Sequence, residues 1–280
     1  MNFIPAVIMT ASPLLLITLG ALISEYAGRL AMFMEAVINL GAFFCYFFSL
    51  KFNSVFFGIV LSVLLCTLIV FILDLAATKF KANVFLISIA INLLLSALWS
   101  FLSAQIFGTR GVLYDQAFNF SQTNAKIISS VFCYAASFVI IFMLYFTRLG
   151  LKIRITGRDS DVLASQGNRV EAYKMFSWII AASTGALAGS AYAMRISSFV
   201  PGMAGGRGWT ALAAVFLGRR NPLAIIGAVF VFALSEYLST FIQNVDGFKN
   251  IPSSVLLALP YIISLLLILL IPHKKQLDEK

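Results

Sequence analysis

Apolar positions along the 280-residue chain fall in long unbroken runs, not in the alternating or one-in-four patterns of water-facing strands and helices. Runs cover residues 5–23, 30–50, 52–73, 84–107, 127–146, 175–194, 223–241 and 254–271. Each approaches or exceeds the ~20 residues that carry a helix across ~30 Å of hydrocarbon. A ninth run, 209–217, is too short to span alone. It follows a Gly-rich stretch and precedes Arg219-Arg220-Asn221-Pro222, so it reads as a half-helix, either completing a crossing or re-entering. Irregular backbone beside it is tolerated at membrane depth only when buried in protein or lining a cavity. Only Glu35 and Glu236 are charged inside the nine runs; the other 29 charges lie in the remaining 108 residues. The expected fold is an all-α polytopic membrane protein with about nine transmembrane or half-transmembrane helices.

Composition sharpens this reading. The chain is 61% hydrophobic and 11% charged. A water-soluble globule of this size could not clothe so much apolar surface. A cytosolic enzyme, a nucleic-acid-binding domain and a disordered chain are thereby excluded; the +9 charge is not a nucleic-acid signal but a topology signal. With the N-terminus outside and all nine runs crossing, 14 of 20 Lys and Arg fall inside, six of them in the loop 148–174, and the C-terminal tail is cytoplasmic. The first run has no preceding positive residue and reads as a retained span, not a cleaved signal. Cys45, Cys66 and Cys133 lie in apolar runs and read as packed thiols.

The layout repeats. Run 5–23 leads through a loop holding Gly28 to the run at 30, as run 175–194 leads through a Gly-rich loop to the run at 209. One loop falls inside and the other outside, the pattern of an inverted repeat. The chain is thus read as a single transmembrane domain: first half 1–147, cytoplasmic loop 148–174, second half 175–280. In that loop, Asp159 or Ser160 can cap a short helix, Asp161 suits its first turn, and Gly167-Asn168 can end it. It is either a solvated connector or a docking element for a cytoplasmic partner. Intramembrane Glu35 and Glu236 are candidate pathway residues by their cost alone, or structural acids satisfied by a helix terminus or a neighbouring donor. Asn39, Asn83 and Asn92 serve either as interhelical glue or as pathway contacts. Trp209, at the head of the short run, joins the pathway candidates. Gly185 and Gly189 among alanines give a face for close helix packing. There is no phosphate-cradling loop, no metalloprotease His pair, and a single His, His273. A transporter of this kind needs its energy from another polypeptide.

Four stretches carry a family resemblance: Ala11-Ser12-Pro13-Leu14 to Leu22-Ile23-Ser24-Glu25 with Gly28 and Glu35; Lys79-Phe80-Lys81-Ala82-Asn83 with Asn92-Leu93-Leu94; Thr147-Arg148-Leu149-Gly150 with Gly157, Ala164 and Gly167; and Gly205-Gly206-Arg207-Gly208-Trp209-Thr210 through Gly218-Arg219-Arg220-Asn221-Pro222. The chain resembles permease subunits of bacterial ABC importers for simple sugars and nucleosides. In particular it is similar to the shorter permease of nucleoside systems served by a basic-membrane-protein-type binding lipoprotein. The resemblance implies pseudo-two-fold inverted halves in the bacterial cytoplasmic membrane and no catalysis by this chain. It implies three partners: a homologous second permease, a cytoplasmic ATP-binding cassette protein and an extracytoplasmic substrate-binding lipoprotein. ATP and Mg would be used by the ATPase, and this chain would hold no cofactor or metal. The ATPase would contact Gly157, Arg158, Asp159, Ser160, Asp161, Val162, Leu163, Ala164 and Gly167. Nucleoside import is the expected function. Import of a sugar such as ribose, or stand-alone ion-coupled transport, are the alternatives.

Overall fold

The computed structural model describes residues 3–80, 82–243, 258, 261–263 and 266. Most of the run expected at 254–271, and the basic tail after it, lie outside the described residues. Ten helices follow in order: α1 (Phe3–Tyr26), α2 (Met34–Phe52), α3 (Val55–Lys79), α4 (Val84–Phe107), α5 (Gln122–Phe146), α6 (Arg148–Arg158), α7 (Ser160–Ser165), α8 (Val170–Ile196), α9 (Arg207–Leu217) and α10 (Pro222–Gln243). No strand occurs among the described residues beyond an isolated bridge between Leu113 and Phe199. Among the described residues, six helices, α1 to α5 and α10, are long and apolar enough to cross a membrane.

At the centre stands α8, packed against α1, α2 and α3. Apart from Trp178 and Tyr192, its buried residues are Ala, Gly, Ser and Thr, so neighbouring backbones come close. A Cβ on Gly189 would lie 2.1 Å from the Ile38 carbonyl oxygen of α2. One on Gly41 would lie 2.5 Å from the Cα of Ala186. The Gly185/Gly189 face is therefore where α2 sits, the close packing expected of small residues in membranes. By contrast, α3 and α4 turn Phe56, Leu64, Ile72, Leu86 and Leu93 outward, as lipid-facing surfaces require.

Contacts fix the direction of each helix. At one end of the bundle, Arg195 of α8 donates to the Met9 carbonyl (2.9 Å) and Ser12 Oγ (2.8 Å) of α1, and to Ser129 and Ser130 Oγ of α5. At the other end, Arg220 Nη2 lies 2.6 Å from Glu25 of α1, and the Tyr26 hydroxyl donates to the Arg220 carbonyl. The chain between Arg195 and Arg220 therefore runs alongside α1 from Met9 and Ser12 to Glu25 and Tyr26. Residues 197–206 cover the first part as irregular backbone and α9 covers the rest. The segment from Arg195 to Arg220 thus joins the two ends of the bundle.

Helix α2 departs from expectation. The apolar run begins at residue 30, but the helix begins at Met34, level with Gly185 in the middle of α8. Residues 27–33 fold back from the end of α1 into the bundle. Gly28 adopts φ +71° in this turn. Its backbone groups are satisfied from outside: Trp178 Nε1 donates to the Arg29 carbonyl (2.6 Å), while Ser24 and Ser88 hydroxyls accept from Ala31 and Met32 N–H. Buried backbone without such partners would be costly.

Helix α3 also runs past its apolar stretch, to Lys79, which places Asp74 inside it. Asp74, outside the apolar run 52–73, therefore lies inside a helix long and apolar enough to span. It is buried 2.7 Å from Arg29 Nη1, and the Arg29 guanidinium lies 4.9 Å from the centre of the Trp178 ring.

Candidate translocation site

Two helix N-termini converge near the middle of the bundle. Phe33 precedes α2 without a side-chain cap; the Ala36 N–H is satisfied instead by Asn92 Oδ1 of α4 (3.0 Å). Gly206, at φ +83°, precedes α9. Between them lies Glu35. Its Oε1 accepts from the Gly206 N–H at 2.7 Å and its Oε2 from the Gly208 N–H at 2.8 Å. One carboxylate of α2 thus caps the short helix α9, where the helix dipole favours negative charge. One turn along α2, Asn39 Oδ1 accepts from the Ala204 N–H (3.0 Å), while its Nδ2 donates to the Glu35 carbonyl (3.1 Å). The backbone at Gly208 comes so close that a Cβ there would stand 2.7 Å from the Cα of Glu35.

Arg207, between the two capped glycines, points the other way. Its guanidinium pairs with Glu236 of α10, donates to the Met203 carbonyl (2.8 Å), and lies 4.5 Å from the centre of the Tyr192 ring. Glu236 is thus paired by a residue from the Gly-rich stretch. A cavity of about 200 Å³ opens here, lined by Arg207, Thr210, Glu236, Thr240 and Tyr261. A second, of about 230 Å³, is lined by Met9, Thr10, Lys126, Arg195 and again Glu236. Glu236 stands between a mid-bundle cavity and one at the end holding Arg195.

Of the sequence-derived pathway residues, the structure gathers Glu35, Asn39 and Asn92 at the α2 N-terminus, with Glu236 beyond Arg207. Asn83 is placed elsewhere: it is the N-cap of α4, its Oδ1 accepting from Phe85 and Leu86 N–H. Trp209 faces outward on α9, exposed. Arg207, Arg195 and Asp74 were missed because each lies just beyond an apolar run. Their signal is a charge flanking a run that is otherwise long enough to continue.

The loop 148–174 folds as α6, α7 and the first turn of α8. Thr147 caps α6, accepting from Gly150 N–H, and Asp159 caps α7, accepting from Val162 N–H (3.2 Å). Asp161 lies in the first turn of α7, and Gly167 has φ +76° just after it. Val162 and Ala164 are exposed, but Leu163 is 1% exposed. Leu163 therefore anchors α7 to its own chain and is not available on the surface as the sequence reading supposed. Against this loop, Gly157 packs on the end of α1, where a Cβ would fall 2.0 Å from the Tyr26 carbonyl oxygen.

Comparison with known proteins places these features. The pattern of the branched-chain amino acid transport system / permease component family matches residues 3–272. A guanosine ABC transporter permease of Bacillus subtilis is 27% identical, over 94% of this chain and 89% of that protein. A nucleoside ABC transporter permease of Lactococcus lactis is 26% identical, over 93% of this chain and 89% of that protein. The solved structure of PsaBC from Streptococcus pneumoniae in complex with Fab shares the fold with a TM-score of 0.56 at 14% identity, covering 99% of this chain and 94% of that one.

Proposed function

The chain belongs to the branched-chain amino acid transport permease family, and from that premise we propose that it is the membrane-spanning subunit of an ATP-driven importer whose cargo is a nucleoside, purine nucleosides in particular. The observation that carries the cargo is the full-length similarity to two permeases, one named for guanosine and one for nucleosides. As a transport component the chain performs no catalysis itself. ATP and Mg are used by a cytoplasmic ATP-binding cassette partner, cargo arrives on an extracytoplasmic binding lipoprotein, and a homologous second permease completes the pathway.

The halves 1–147 and 175–280 form an inverted repeat around the connector 148–174. The comparable courses of α1–turn–α2 and α8–turn–α9 support this, as each second helix starts at mid-bundle. In this reading nine segments cross, with the last at 254–271. The N-terminus is outside and the C-terminus in the cytoplasm. Arg29, the end of α3, the loop 148–174 and Arg220 gather at one end of the bundle, and that basic end is cytoplasmic. The pathway runs beside Glu35, Asn39, Asn92, Arg207 and Glu236. The ATPase docks on α7 through Val162, Ala164 and the polar rim from Arg158 to Asp161, with Leu163 holding the helix in place.

Two measurements test this. Asp161→Arg, or deletion of 159–167, is expected to abolish co-purification of the ATPase while leaving membrane insertion intact; unchanged co-purification would remove the docking assignment. Uptake of radiolabelled adenosine, guanosine and ribose by the complete importer is expected to show both nucleosides and not ribose. Ribose alone being taken up would replace the cargo with a sugar.

A further inference from the structure

Where the end of α1, helix α6 and the turn between α9 and α10 meet, a cleft of about 630 Å³ is lined by Tyr26, Leu151, Arg154, Ile155, Arg158 and Arg220. We propose that it is a binding site for the headgroup of an anionic phospholipid, held through its phosphate by Arg154 and Arg158. Three guanidinium groups face one carboxylate, Glu25, and that carboxylate is engaged with Arg220 at 2.6 Å. Among the described residues, neither Arg154 nor Arg158 has an acidic partner. Arg154 is held by the Tyr145 ring, 5.0 Å from its guanidinium carbon, and its Nε is buried without a hydrogen-bond acceptor. A buried charged donor left unmatched is unfavourable, and a phosphate oxygen is the acceptor whose charge also answers Arg158.

The surroundings select a lipid over a soluble acidic partner. Leu151 and Ile155 interleave with the arginines in the lining. Around the cleft, Leu149 and Leu151 of α6 are exposed, as are Phe146 at the end of α5 (75%) and Leu223 at the start of α10 (80%). Both α5 and α10 are helices long and apolar enough to cross the membrane, so these last two side chains mark the hydrocarbon edge. A cationic cleft at that level, rimmed by apolar side chains, matches a headgroup with its acyl chains descending along the helices. The inference rests on those helices crossing the membrane and not on which cargo is carried.

The test is native mass spectrometry of the purified full chain in mild detergent with equimolar phosphatidylglycerol and phosphatidylcholine. The wild type is expected to retain phosphatidylglycerol preferentially, with the preference falling about fivefold for each of Arg154→Gln and Arg158→Gln and further in the pair. Arg148→Gln, on the same helix but outside the cleft lining, is expected to keep it. Melting of each variant in phosphatidylcholine alone checks folding. If the double variant fails to fold, Arg158→Gln, at an exposed residue, carries the test. Equal retention of both lipids by the wild type, or unchanged preference in the folded double variant, would overturn the proposal. So would an equal loss in Arg148→Gln, which would mark diffuse charge. In the complete importer, loss of ATPase co-purification by Arg154→Gln, a residue outside the proposed ATPase contact, with lipid preference intact would assign the cleft to that protein partner and overturn the proposal.

Discussion

Replacing Glu35 by Gln tests the junction between α2 and the start of α9 at its narrowest point. The glutamate offers one oxygen to Gly206 N–H at 2.7 Å and the other to Gly208 N–H at 2.8 Å. Gln has the same shape but only one carbonyl oxygen, so its amide NH₂ would oppose one of the two N–H donors. A hydrogen bond to a charged group contributes roughly 1.5–3 kcal/mol, and an N–H left without an acceptor costs a similar amount. Loss of negative charge at the α9 N-terminus adds up to ~2 kcal/mol in a partly buried setting. Glu35 is half-buried, and solvent screening reduces both contributions, leaving about 2–3 kcal/mol. For a chain of this size that is a fall of about 5–10 °C in the unfolding midpoint. Trp178 supplies the readout, because it is buried and packs edge-on against Phe33, which immediately precedes α2. Unfolding of the purified chain in detergent, followed by tryptophan fluorescence, should rank wild type above Glu35→Asp, and Glu35→Asp above Glu35→Gln. Asp keeps the charge but is one methylene too short to reach both glycines. A Glu35→Gln midpoint within about 1 °C of wild type, or Glu35→Asp falling below Glu35→Gln, would refute the charged cap.

Two further outcomes are expected. Gly208→Ala should destabilise the chain and depress transport, because its Cβ would press on the Glu35 backbone at 2.5–2.7 Å. Gly227→Ala in α10, with nothing within 4 Å, should be neutral or stabilising by up to ~1 kcal/mol; paired melting curves separate the two. Arg29→Met and Asp74→Asn should each lower stability by roughly 3–5 kcal/mol, because each strands a buried charge. The double variant should lose less than the sum of the two, and a double-mutant cycle with no coupling would show that the pair does not act as one.

The ends of the apolar runs alone located α4 to the residue and α9 to within two, because both are bounded by turn-forming or capping residues. The α7 cap was equally local: Asp159, Asp161 and Gly167 announce a short helix wherever they occur in that order. The start of α2 was illegible for a physical reason. Leu30 to Phe33 are apolar whether they form helix or a buried turn, and what makes the turn viable is a set of donors and acceptors from Ser24, Ser88 and Trp178. Those partners are remote in sequence. Charged residues near run ends misled in the same way. Asp74 and Arg195 continue their helices because partners on other elements compensate them. Asn83 was a different case: an asparagine directly before an apolar run is a capping signal, and reading it as a pathway candidate passed over that simpler role.

The small side chains around α8 invert the usual geography of harm in a protein interior. In most cores damage comes from substitutions that empty space, since large side chains fill it. Here the neighbouring backbones already touch, with a Cβ at Gly189 or Gly41 meeting main-chain atoms at 2.1 or 2.5 Å. Where α8 meets α1 and α2 through glycine and alanine, the injurious changes are those that add a methyl group, while buried Leu16, Phe43 and Trp178 on the same helices keep the ordinary cost of truncation. Inherited variation in this protein should therefore be filtered by gain of volume on α8, while the Phe-rich outer helices tolerate exchange among large apolar residues.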